Sequence, residues 1–212
     1  MTKTKSTKRA LLMSGLALLM CFAMLVGSTF AWFTDSVTSK NNIIKSGNLD
    51  VELYYQVEGQ SDWTKVTNTT NIFMENALWE PGHTEVVKLK VVNEGTLALK
   101  YQLGVNIADE TGSVNVNGTE FKLSDFIKYA VIEGEQDYTR EQAVAAAEAN
   151  GATLLKTSYN SATTELLAKS AANTESADVV TMVVYMPTTV GNEANYAKGQ
   201  AVPAIHLGIN LV

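Results

Sequence analysis

A single cysteine, Cys21, and two histidines, His83 and His206, are all that this 212-residue chain holds of the side chains that ligate zinc most readily. One cysteine closes no intrachain disulfide, so the chain is not a disulfide scaffold. The histidines stand 123 positions apart, far from the close pairing of a HExxH-type site. No GxSxG elbow, Walker loop or GxGxxG fingerprint occurs. No catalytic, cofactor-binding or metal-ligating residue is therefore assigned, and weak binding of divalent cations to acidic surface is the most that the composition offers. Basic residues are also in the minority, 16 against 22 acids for a net charge of −6. A chain short of Lys and Arg is a poor partner for nucleic acid, whose phosphates need neutralising. Internal repeats and low-complexity linkers are missing as well.

What is present begins with a targeting segment. Lys3, Lys5, Lys8 and Arg9 precede an apolar run from Ala10 to Val26, which gives way to the small-residue stretch Gly27-Ser28-Thr29-Phe30-Ala31. That order is a secretory signal peptide. Thr29 and Ala31 fit the small-side-chain requirement before a cut, which places cleavage after Ala31 with Trp32 as the first mature residue. An uncleaved anchor is disfavoured because the 17-residue run falls short of the ~20 residues that span a bilayer. Membrane contact is thus expected only before cleavage. Met20 before Cys21 does not suit a lipobox. The mature chain has 212 − 31 = 181 residues, no cysteine, and 12 basic against 22 acidic side chains, a net charge of −10. Such a charge keeps a protein soluble and demands a specific geometry for any self-association.

The mature part reads as β-structure. Leu49, Val51 and Leu53 alternate with Asp50 and Glu52, a half-buried strand. Trp63 and Val66 suggest one short strand. Glu80-Pro81-Gly82 is a turn, followed by Glu85–Asn93 with Val87, Leu89 and Val91 on one face and Lys88 and Lys90 on the other. Thr96–Ala108 keeps period two from Leu97 to Ile107, and Asn93-Glu94-Gly95 between them predicts a pair of consecutive antiparallel strands. Leu123–Phe126 predicts a helical turn capped by Ser124. Lys128–Glu133, Ala177–Pro187 and Ala204–Val212 are further strands. Thr139 and Gln142 form a capping box ahead of an alanine-rich stretch that Gly151 ends. Ser158–Ser170 is expected to hold a second helical stretch, making a helical insertion around 139–170. The fold class predicted is mainly β: an antiparallel, jelly-roll-like sandwich spanning 47–212 with a small α insertion.

Residues 32–46, WFTDSVTSKNNIIKS, fit neither pattern. Two aromatics followed by a polar segment without a clean period have no obvious core partner of their own. They suit a donor strand, an extended segment that adds to an exposed sheet edge of a neighbour. The side chains proposed to seat it are Trp32, Phe33, Val37, Ile43 and Ile44. Burying each large apolar group is worth ~2 kcal/mol, against ~1–2 kcal/mol of ordering entropy per residue. A head-to-tail contact of this kind does not close and gives a filament. The carboxylate pairs Asp50/Glu52 and Glu133/Glu135 read as solvated strand faces, and Asp109-Glu110 lacks an EF-hand pattern.

Two blocks carry a family resemblance. Gly27–Val51, with Ala31, Trp32-Phe33-Thr34-Asp35 and then Ser46-Gly47-Asn48-Leu49-Asp50-Val51, resembles the signal and mature start of the TasA/camelysin family. Glu80–Tyr101, with Asn93-Glu94-Gly95-Thr96-Leu97-Ala98, resembles that family's second block. The resemblance implies a jelly-roll-like sandwich, cutting by a SipW-type signal peptidase of Gram-positive bacteria, and biofilm-matrix fibres built from copies of the chain by donor-strand exchange, with other matrix components as possible partners. The family also contains camelysin, classed as a surface metallopeptidase, but no ligand set maps onto this chain. A camelysin-like peptidase and a non-fibrous surface binding module stand as the alternatives.

Overall fold

The computed structural model describes residues 4–33, 47–73, 77, 79–169 and 176–212. The chain forms two compact units, residues 1–46 and 47–212. Of the first, the described part is one helix, α1 (Thr4–Phe33). Its window Thr7–Met24 is long and apolar enough to cross a membrane, as a signal sequence also is.

The second unit is mainly β, and every pairing among its described strands is antiparallel. In chain order the strands are β1 (Val51–Val57), β2 (Thr64–Lys65), β3 (Thr84–Asn93), β4 (Leu99–Tyr101), β5 (Leu103–Thr111), β6 (Ser113–Val114), β7 (Glu120–Phe121) and β8 (Lys128–Glu133), then helix α2 (Arg140–Ala149). They continue as β9 (Thr153–Leu154), β10 (Tyr159–Asn160), β11 (Thr164–Leu166), β12 (Ala177–Tyr185) and β13 (Ala204–Leu211). A six-stranded sheet has the order β2-β1-β3-β12-β8-β9, and a three-stranded sheet the order β10-β5-β13.

The core lies between these sheets. Val87, Leu89 and Val91 of β3, Met182 and Val184 of β12 and Tyr129 of β8 pack in one cluster with Leu103 and Val105 of β5. Period-two alternation explains the arrangement, since alternate residues of a strand share a face. The outer face of the large sheet is covered by α2. Ala143 and Ala147, both fully buried, sit against Val86, Ala130, Ile132, Val183 and Tyr185. Methyl side chains let the helix approach the sheet closely. The capping box forms as the sequence predicts, with Gln142 N donating to the Thr139 hydroxyl and Thr139 N donating to the Gln142 side chain.

Several expectations are corrected. Asn93-Glu94-Gly95 does not join paired neighbours. Both edges of β3 are taken, by β1 and β12, so the chain crosses to pair β4 with β11 and β5 with β10 and β13. The crossing is fixed by Glu94 N and Gly95 N donating to the Asp50 carbonyl at 2.9 and 3.2 Å. Gly95 is required there, because a Cβ would lie 2.6 Å from the Asn48 carbonyl oxygen. The continuous 96–108 strand breaks at Gln102, whose amide and carbonyl pair with Val212 instead. The strand expected from Leu49 begins at Val51.

The helical turn at 123–126 forms as Leu123–Asp125, but Ser124 does not cap it. Its amide and hydroxyl both donate to the Glu110 carboxylate at 2.9 Å. No second helical stretch forms among the described residues 158–169. Ser158–Leu166 is rich in Ser, Thr and Asn, which compete with a helical backbone, and it supplies the ribbons β10 and β11.

Candidate functional site

Among the described residues the sandwich is open along one side. β13 is the terminal strand of the small sheet and pairs with β5 alone among the described strands. On the large sheet, β1 is bordered by β2 only at Tyr54 and Tyr55, with Val66 N donating to the Leu53 carbonyl at 2.8 Å just beyond. Between these two edges runs a groove of about 1060 Å³. Its floor includes Leu123, Ile127, Leu155 and Val184, one wall is β13, and the other comprises β1, residues between Lys65 and Phe73, Ala77 and Trp79.

The β13 wall is apolar at alternate positions. Ile205, Leu207, Ile209 and Leu211 pack against the core yet are only half-buried. A β-bulge between His206 and Leu207 interrupts the register with β5. The opposite wall contributes Val66, Ile72, Phe73 and Trp79, all partly buried. Eight residues of β13 offer an edge of about 26 Å, enough for a strand of ordinary length.

The rim is polar. The Tyr54 hydroxyl donates to Glu52 at 2.5 Å, and Lys65 pairs with the other Glu52 oxygen. Lys65 and then Tyr54 hold the Glu52 carboxyl below its ordinary range. The same carboxylate, with burial, pushes the Tyr54 phenol up to about 12. At the other end the Trp79 ring meets His83 edge-on at 4.6 Å, and His83 Nε2 lies 3.0 Å from Glu85.

The residues singled out in the sequence fall as follows. Thr29, Ala31, Trp32 and Phe33 belong to the last turns of α1, so the expected cut lies inside the helix in the unprocessed chain. Val37, Ile43 and Ile44 lie outside the described residues. The two histidines are not brought together: His83 is beside Trp79, and His206 is opposite Asp109. The carboxylate pairs are dispersed too. Glu52 binds Lys65, Glu135 binds Lys88 at 2.9 Å, and Glu110 takes Ser124 with Lys122 at 3.7 Å. Among the described residues no three His, Cys, Asp or Glu side chains gather as metal ligands do.

Sequence reasoning missed the groove. Its walls come from β1, the 65–73 segment with Ala77 and Trp79, and β13, which are distant along the chain. The one signal was the clean alternation of Ile205, Leu207, Ile209 and Leu211 in a final strand. Compared with known proteins, the chain matches no family model and no curated relative.

Proposed function

We propose that this chain is the precursor of an exported structural protein of the bacterial extracellular matrix, and that its processed form assembles into fibres. A SipW-type signal peptidase would cut after Ala31, freeing residues 32–46 to serve as a donor strand for another copy. The observation that carries this reading is the groove along β13. It combines a sheet edge that is unpaired among the described residues with half-buried apolar side chains, the two features that strand addition uses for affinity and selectivity. In the donor, Phe33, Val37 and Ile43 or Ile44 would be the anchors seated in such a groove.

Protein beginning at Trp32 is expected to form filaments visible by electron microscopy. Protein lacking residues 32–44 is expected to remain a folded monomer by sedimentation and circular dichroism. Filaments from the shortened protein would refute donor-strand exchange.

A further inference from the structure

We infer that the incoming segment lies antiparallel to β13, and that it thereby seats the Leu49/Leu97/Leu167 end of the donating copy on the Val116/Tyr196/Val202 end of the receiving copy. This rests on the groove reading above and adds to it a direction and a second contact surface.

The direction follows from where the chain leaves the sandwich. Asn48 N donates to the Thr96 hydroxyl and Thr96 N to the Asn48 carbonyl, both at 3.0 Å, fixing the start of the unit at the end where the chain crosses between sheets. Residues 32–46 therefore depart from that end. β13 finishes at the same end: Leu211 lies opposite Leu103, the residue after the β4 crossing, while Ala204 lies opposite Thr111 at the far end.

Two insertions are possible. A donor parallel to β13 would have its last residues at the Leu211 end. The exit end of one copy would then face the exit end of the next, and two tails exchanged that way close a reciprocal dimer. A donor antiparallel to β13 would have its last residues at the Ala204 end. The exit end of one copy would then meet the far end of the next, leaving a free groove and a free tail, which is an open chain. The antiparallel ladder is the more stable per residue, and it is the pattern of every described pairing in this protein.

The surfaces at the two ends agree with this choice. At the exit end Leu49, Leu97 and Leu167 are 67%, 45% and 61% exposed. The Asn93 side-chain amide donates to the carbonyls of both Leu97 and Leu167, which holds them side by side. At the far end Val116, Tyr196 and Val202 are 52%, 44% and 65% exposed. Asn115 bridges to Tyr196, Val116 N donates to the Asn195 carbonyl, and the Ser113 hydroxyl donates to the Ala201 carbonyl. Scattered exposed apolar residues are ordinary. Here they form a group at each of the two ends that antiparallel insertion would bring together. The tail is long enough. Its 15 residues from 32 to 46 reach about 50 Å when extended, against about 26 Å of groove.

The mature sequence has no cysteine, so single thiols can report the contact. Protein beginning at Trp32 is prepared as Leu97→Cys, as Val202→Cys and as the double variant, each treated with a short bismaleimide under filament-forming conditions. The double variant is expected to give a ladder of covalent multimers, and each single variant to stay monomeric on a denaturing gel. Dimers from Leu97→Cys alone would overturn the proposal, because like ends would then be meeting. So would filaments of the double variant without a ladder. A labelled peptide of residues 32–46, titrated onto the 47–212 unit, separates the two levels. Peptide binding with no ladder sinks the direction and end contact alone, whereas failure of the peptide to bind sinks the groove reading and this inference with it.

Discussion

Asn93 is fully buried at the end of β3, and its side chain satisfies four backbone groups. The amide donates to the carbonyls of Leu97, Leu166 and Leu167 at 2.9, 3.3 and 3.0 Å, and Oδ1 accepts from Gly95 N at 2.9 Å. One residue thus ties the crossing between sheets to the β4·β11 ribbon. Asn93→Leu keeps the volume and removes every one of these bonds, stranding buried polar groups. The expected loss is on the order of 3 kcal/mol in urea denaturation, and a variant as stable as the parent would show the network to be dispensable. Glu52 acts at the groove rim through charge. Its carboxyl titrates below its unfolded value because Lys65 and Tyr54 bind the ionised form. Its contribution is therefore present above the unfolded value and is lost as pH falls through the lowered folded one. Glu52→Gln should lower the urea midpoint at neutral pH, with the gap to wild type closing in acid. A gap that held its size into acid would assign the loss to packing rather than charge.

Elements explain what was legible in the sequence. Strands β3, β8 and β12 were placed from the chain alone because short runs rich in β-branched and apolar residues bounded by turn signals read as strands, even though both faces become buried, one in the core and the other under α2. Helix α2 was legible because its start and stop are local, a capping box and Gly151. Thr139→Ala is expected to cost about 1 kcal/mol of stability, measured by urea denaturation, through loss of that cap. An unchanged midpoint would mean that packing of Ala143 and Ala147 holds the helix without it. The groove was not legible because pairing partners are a non-local choice. Nothing in Asn93-Glu94-Gly95 announces that both edges of β3 are already taken, so a hairpin and a crossing look the same. The 158–166 segment failed for a different reason. Its Ser, Thr and Asn side chains carry little intrinsic preference, and pairing with β5 and β4 decided it. Within the groove, β13 itself was foreseen as a strand, whereas its position at the edge of the described sheet and the opposing wall with Val66, Ile72, Phe73 and Trp79 depend on the assembled fold.

At the scale of the whole molecule, the proposed assembly would work against charge. Processing after Ala31 would remove four positive side chains and leave 12 basic against 22 acidic, a net −10 on each copy. The proposed head-to-tail packing would bring such copies within a few tens of ångströms of one another, where their repulsion is felt at low ionic strength. The Debye length falls from about 30 Å at 0.01 M salt to about 8 Å at 0.15 M, so added salt removes the long-range part of that repulsion. It leaves the apolar groove and the ladder hydrogen bonds largely intact. The concentration at which the processed protein begins to form filaments should therefore fall, by roughly tenfold for each 1.4 kcal/mol of repulsion screened, as salt rises across that range. Sedimentation of filaments at several protein concentrations and two ionic strengths measures it. Were the threshold to rise with salt instead, attraction between opposite charges would be driving assembly, and the apolar groove would not be its principal source of affinity.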